Sequence, residues 1–371
     1  MNARESDSQA NRSDYLLLPT LTNSPLKNIN DKQNLGKLRL RKNIGLDFLE
    51  NSEFDSELLT YDGNYQNSLI YSDYFVNHMN TVIDLLKSQL PENSKVVEVG
   101  CGKGDFLEML NNDRYFNAIG FDATYEGDSN KIIKRYLNEF DRMEADLVVL
   151  RHVIEHVKKP HAFLKMLKTI FGKGLIYIEV PNYVWILENK AFFDINYEHV
   201  NYFSQKSLTY FFNDEEPLAS LCFNDQYQSI ISKIELISNN FERKYIEGPW
   251  EFVDFYSLFP NMKDIIIAIE KKLRPASRVY IWGAASKGCM FLAHCKHLNV
   301  LLDRVNFAID INPKKQNKFL PISLVPIKSK EEFYALAQQD DLVIITNPNY
   351  KSEITKDLDL YAPKNLNFIC L

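Results

Sequence analysis

The chain has 371 residues, 45% of them hydrophobic, 25% charged and 13% aromatic, more than a single core holds and unlike disorder, collagen or a disulfide scaffold. Lysine and arginine number 43 against 49 aspartates and glutamates, and the formal charge of −6 carries no general footprint for nucleic acid. No apolar run reaches the ~20 residues that span a bilayer, and Met1 to Asp14 is too polar for a signal peptide, so a cytoplasmic protein without a membrane partner is expected.

Residues 1–45 form a polar, partly basic arm without sustained periodicity. Its run Lys37-Leu38-Arg39-Leu40-Arg41-Lys42 reads as a solvated, flexible leader, with a clamp for an anionic substrate or partner as the alternative. From Tyr71 to Leu90 the apolar residues Phe75, Met79, Val82, Ile83 and Leu86 recur at helical spacing, and Pro91-Glu92-Asn93-Ser94 breaks the helix. Strands follow at Lys95–Val99, Ala118–Asp122, Asp146–Leu150 and Leu175–Val180, with helices after the first and third. Strands alternating with helices indicate a parallel, doubly wound sheet. Leu221-Cys222-Phe223 and Ser229–Ile234 are read as a closing antiparallel pair.

A second α/β unit opens after Gly248-Pro249, with strands at Arg278–Trp282, Val305–Asp310 and Asp341–Ile345. The expected organisation is an arm (1–45), a core (46–245) and a smaller Rossmann-like domain (246–371).

Val96 to Gly104 reads V-V-E-V-G-C-G-K-G. A strand running into a glycine turn lets backbone approach a ligand, and the next helix offers free N–H groups. The dinucleotide fingerprint G-x-G-x-x-G has a wider last interval. Here Gly100, Gly102 and Gly104 follow Glu98 as G-x-G-x-G, which resembles the first motif of class I S-adenosylmethionine (SAM) methyltransferases. Asp122, ending the next strand, is placed to accept both ribose hydroxyls. NAD enzymes use an acid there too, so the glycine spacing is what discriminates.

Arg151-His152-Val153-Ile154-Glu155-His156 contains H-x-x-E-H, also an inverted zinc-protease string. On a helix His152 and His156 would share a face. The segment, however, directly follows a strand at the sheet's carboxyl edge, where α/β folds bind ligands. His156 is therefore assigned to the active site, Arg151 and His152 to the SAM pocket, and no metal is expected. The five cysteines lack any C-x-x-C pair. Farther on, Asn196-Tyr197-Glu198-His199 lies in the most aromatic polar cluster of the chain, and a histidine beside a carboxylate and a tyrosine suits proton abstraction.

With these residues in view, the chain resembles the sugar C-methyltransferases of deoxysugar pathways, which join a SAM-binding core to a characteristic C-terminal Rossmann-like domain. The resemblance covers roughly residues 58–365. In the core it is carried by Tyr61-Asp62-Gly63-Asn64-Tyr65-Gln66-Asn67, the glycine motif, Glu155-His156-Val157, Glu179–Asn182 and Tyr197-Glu198-His199 with Tyr202-Phe203-Ser204. Trp282–Gly288, Asp310–Gln316 and Asn347-Pro348-Asn349-Tyr350 carry it in the last domain.

It implies a class I methyltransferase sheet, SAM as cofactor and a small-molecule acceptor of the nucleotide-sugar kind, methylated next to a ketone. It places the general base on His199, its neighbouring carboxylate on Glu198, a second histidine on His156 and an active-site tyrosine on Tyr65. Two departures stand out: residues 1–60 hold no cysteine, where the family commonly carries a small zinc domain, and Asn196 stands near where its sugar enzymes place a tyrosine. O- or N-methylation and a non-catalytic SAM-binding scaffold remain as alternatives.

Overall fold

The structure is a computed structural model describing residues 15–112, 114–364 and 366–371. Residues 1–14 of the arm lie outside it, and the rest of the arm is folded, against the expectation of a solvated leader. Strand β1 (Leu16–Pro19) pairs antiparallel with β2 (Leu35–Leu38), and β3 (Leu40–Asn43) forms a hairpin with β4 (Phe48–Asn51).

The basic run is an alternating one. Leu38 and Leu40 are buried, while Arg39 and Arg41 lie 4.0 and 4.1 Å from the Phe252 and Trp250 ring centres. Arg41 also donates from Nε to Glu50 at 2.7 Å, and Lys42 lies 2.9 Å from Asp47. Long cationic stems cover apolar surface here, and these charges are already engaged within the chain.

The core begins with helix α1 (Asp73–Gln89), whose first turn is capped by the Ser72 hydroxyl accepting from the Phe75 N–H. Its buried face is Phe75, His78, Met79, Val82, Ile83 and Leu86, the stripe expected from the spacing. Then come β5 (Ser94–Val99), α2 (Asp105–Asn112), β6 (Phe116–Phe121), β7 (Ile132–Ile133), β8 (Leu147–Arg151), α3 (Pro160–Phe171) and β9 (Leu175–Pro181). Strand β10 (Asn201–Phe203) precedes the hairpin β11 (Leu218–Cys222) and β12 (Tyr227–Lys233).

The main sheet has seven strands in the order β11-β12-β9-β8-β5-β6-β7. Strands β5 to β9 are parallel, and β12 runs antiparallel to both β9 and β11, as the closing pair required. Strand order reverses between β5 and β8, so their carboxyl ends form a crevice.

Strand β13 (Trp250–Val253) and β10 flank the β3–β4 hairpin in a four-stranded sheet that ties the arm to the core. In the second unit β14 (Val279–Trp282), β15 (Val305–Ile309), β16 (Ile327–Lys328), β17 (Leu342–Ile345) and β18 (Asn367–Cys370) form a wholly parallel sheet, ordered β16-β15-β14-β17-β18. Its order reverses between β14 and β17, opening a second crevice.

One continuous apolar cluster joins Leu18, Leu38 and Leu40 of the arm to Phe192 and Tyr197 of the core and to Phe291 and Ile344 of the second unit. Shared burial of this kind holds the two crevices in a defined relation. Among the described residues no helix is long and apolar enough to cross a membrane.

Candidate active site

At the end of β5 the chain turns through Gly100, Gly102 and Gly104 at φ +75°, +56° and +86°. A methyl group on Gly100 would come within 2.7 Å of Val153, and one on Gly104 within 2.7 Å of Ile132. Gly102 differs: the nearest atom would be the Asn67 amide at 3.8 Å, so its open face lets a ligand reach the backbone. The Gly102 N–H donates to Asp122 Oδ2 at 2.8 Å, and Thr124 donates from N and Oγ1 to Oδ1, both at 2.7 Å. Those bonds hold Asp122 at the end of β6, beside the loop.

Glu98 is 4% exposed, and its Oε2 has no partner. Burial pushes its carboxyl up to about 7 even though Arg151 pulls the other way. An orphaned acid beside an open glycine turn, with a second acid on the next strand, fits a donor that carries an ammonium group and ribose hydroxyls. The residues suit SAM.

Arg151, expected in the SAM pocket, is committed elsewhere. Its Nε and Nη2 lie 3.2 and 2.9 Å from Glu179 Oε1, and its guanidinium sits over Phe106. Glu179 is fully buried and also accepts from the Tyr177 hydroxyl at 2.6 Å. Burial opposes its charge, yet Arg151, His152 and His78 hold its carboxyl well below the usual range.

The H-x-x-E-H segment does not form an α-helix. His152 is left-handed at φ +53°, and Ile154–His156 is a single 3-10 turn, so the two histidines do not share a helical face. His152 lies 3.4 Å from Glu155 and 3.3 Å from Glu179, with its ring against Tyr227. Burial works against its charge, but those two carboxylates push the ring up to about 9. His156 turns the other way: its Nδ1 is 2.9 Å from the Glu198 carbonyl oxygen, and its ring meets His199 edge to face at 4.9 Å.

Glu198 does not touch the His199 ring, contrary to the expected dyad. Its Oε1 accepts from the Thr22 N–H and hydroxyl at 2.8 and 2.7 Å, and its Oε2 accepts from the Tyr65 hydroxyl at 2.9 Å. Adjacent side chains on non-helical backbone point apart, which is why E-H neighbours in sequence are not partners in space. The His199 N–H is capped by Asn196 Oδ1 at 3.0 Å, and its ring Nδ1 is buried without a partner. Burial, then the neighbouring His156, hold this imidazole well below its usual range, so it is neutral.

Tyr197 is turned out of the site. Its hydroxyl accepts from the Asp55 N–H at 2.8 Å, its ring packs on Phe54, and Gly36 of the arm lies directly against that ring.

The structure thus gathers Tyr65, His152, His156, Glu198 and His199 around a cavity of about 530 Å³ between the carboxyl edges of the two sheets. Asn67, which faces Gly102, lines the same cavity, whereas Glu98, Gly102 and Asp122 lie outside its lining. Several lining groups were not anticipated from sequence. Asn23 of the arm donates to Ser286 Oγ at 3.0 Å and accepts from Lys315 Nζ at 3.2 Å, and Thr22 Oγ1 is 2.7 Å from the same Ser286 hydroxyl. Lys287 pairs with Asp194 across the cavity wall. Thr22-Asn23 carries no sequence signal, whereas Ser286 and Lys287 lie in the W-G-A-A-S-K-G string.

A family profile described as a methyltransferase domain matches residues 75–214, and one described as a C-methyltransferase C-terminal domain matches residues 226–371. C-methyltransferase NovU of Streptomyces niveus is 24% identical over 330 residues, 79% of this chain and 76% of that protein. Solved structures similar to part of the chain include N-methyltransferase NodS from Bradyrhizobium japonicum (14% identity, TM-score 0.31, 43% of this chain and 94% of that one). Another is the Burkholderia thailandensis 1,6-didemethyltoxoflavin-N1-methyltransferase (11%, TM-score 0.34, 43% and 80%). The glycine loop, the sheet order and the two matching profiles agree: the chain is a SAM-dependent methyltransferase that joins a methyltransferase domain to a C-methyltransferase C-terminal domain.

Proposed function

We propose that the chain methylates a carbon next to a ketone in a small, nucleotide-linked sugar or a related metabolite, with His199 as the general base. The observation that carries this reading is a neutral His199, its ring Nδ1 unpartnered, in a cavity whose lining includes Asn67, the residue that faces the open glycine turn. SAM supplies an electrophilic methyl group on a sulfonium centre.

Gly102, Asp122 and Glu98 hold the donor end, through a bare backbone and two carboxylates. His199 takes the proton from the acceptor carbon, the new carbon–carbon bond forms there, and the methyl–sulfur bond breaks. Tyr65, whose hydroxyl donates to Glu198, and His156, whose Nδ1 faces the Glu198 carbonyl, line the same wall and shape the acceptor pocket beside His199. Alignment of the two reactants supplies much of the remaining acceleration, up to ~7–11 kcal/mol in favourable cases.

The test is His199→Ala with labelled SAM and the small-molecule extract of the source cells as acceptor pool. Methyl transfer falls by about 10²–10⁴-fold while SAM binding, followed by calorimetry, is unchanged. Undiminished transfer removes His199 as the base.

A further inference from the structure

We infer that Glu155, His156 and His199 form a site for one first-row divalent transition-metal ion, open to the acceptor cavity. One ligand atom from each residue lies within 4.8 Å of the others. Three features of these side chains point to a ligand beyond that proximity.

The first is the tautomer of His156. A carbonyl oxygen only accepts, so the contact from Nδ1 to the Glu198 oxygen at 2.9 Å puts the proton on Nδ1 and leaves the Nε2 lone pair free. An outer hydrogen bond of this kind orients metal-binding histidines. The second is Glu155, which is 1% exposed: its Oε1 lies 3.4 Å from His152 Nδ1, while its Oε2 is buried with no hydrogen-bond partner. A carboxylate oxygen buried without a hydrogen bond is costly, and a cation bound to it offsets the cost. The third is His199, whose ring Nδ1 is buried and unpartnered.

Two imidazoles and one carboxylate suit zinc, cobalt, nickel, iron or manganese better than magnesium or calcium, which favour oxygen alone. Bonds of ~2.0–2.1 Å require the three groups to draw in by about an ångström from their present spacing. His156 and His199 both line the cavity, so the remaining coordination positions face it. A second convergent trio, His78, Glu179 and Cys222, is a weaker candidate because Glu179 is already taken by Arg151 and Tyr177.

The inference touches the proposed function at one point, His199. An ion on its ring removes the lone pair needed for proton abstraction, so the loaded and the base-active forms exclude each other. Metal binding itself is measured without acceptor or turnover, which keeps the two readings separable.

The probe is cobalt(II) chloride added to the full chain, followed by visible absorption and by calorimetry. The site predicts saturation at one ion per chain, with the weak visible bands of nitrogen and oxygen ligands. Glu155→Gln and His156→Gln, each checked for native circular dichroism, lower the affinity by more than the ~10–100-fold that loss of an outer partner costs. No saturable binding overturns the site. So does a strong sulfur-to-cobalt charge-transfer band, which would place the ion on a cysteine, or unchanged affinity in both variants. With zinc(II) bound, methyl transfer falls at least tenfold and EDTA restores it. Faster transfer with zinc would instead support the metal site and overturn His199 as the base.

Discussion

Replacing Glu98 by glutamine probes the donor corner and the fold together. In the folded chain burial lifts this carboxyl from 4.5 to about 7. Between those values the native state holds a proton that the unfolded state has lost, so stability falls as pH rises through that window. A shift from 4.5 to about 7 amounts to about 3 kcal/mol once both states are ionised, at ~1.4 kcal/mol per tenfold in proton affinity. Glutamine keeps the shape and does not titrate. Urea unfolding by circular dichroism at about pH 5 and about pH 8 should therefore show a pH-dependent loss in the wild type that is smaller in Glu98→Gln by about that amount. SAM affinity, measured by calorimetry, should fall ~10–100-fold in the variant, the worth of a charge-assisted hydrogen bond. Parallel pH dependences would refute the buried, proton-holding acid, and unchanged SAM affinity would refute its role at the donor.

Three further outcomes follow from the geometry. Gly102→Ala places a side chain on a left-handed residue whose open face meets no other atom within 3.8 Å, so stability falls by only about 1–2 kcal/mol while SAM affinity drops, read by thermal melts and calorimetry. Thr22→Val removes one charge-assisted hydrogen bond to Glu198 and one contact to Ser286; a loss of about 1.5–3 kcal/mol in chemical denaturation, with slowed methyl transfer, is expected. Leu40→Ala tests whether the arm is part of the fold: a residue 2% exposed in the shared cluster should cost about 2–5 kcal/mol, and a change under ~0.5 kcal/mol would mean the arm is peripheral.

Long periodic or strongly apolar segments were legible in the sequence. The α1 stripe, the strands β5, β8 and β9 and the parallel second sheet lie where spacing and apolar runs put them, to within a residue or two at most ends. The arm was not legible, because its strands are four residues long and its leucines alternate with lysine and arginine, a composition that also describes a solvated leader. Strand β3 is held between β4 and β13, the latter distant in sequence, while β1 and β2 pair with each other.

The site was legible in its members but not in its pairings. Tyr65, His156, Glu198 and His199 do meet at one cavity, yet Glu198 is held by Thr22 from the far end of the chain and His199 faces His156 instead. Likewise H-x-x-E-H suggested a helical face because the spacing is right, and only the left-handed His152 shows that the backbone breaks there. Local spacing sets which residues approach the sheet edge. Which of them touch depends on loops that arrive from elsewhere.

The central claim, methylation at carbon, is tested most directly by the product. SAM carrying a ¹³C-labelled methyl group is incubated with the full chain and the small-molecule extract of the source cells, and the labelled carbon is read by NMR. A methyl resonance typical of attachment to carbon is the predicted result. A resonance typical of a methyl ether or methylamine would contradict it, and would leave His199 deprotonating a hydroxyl or an amine.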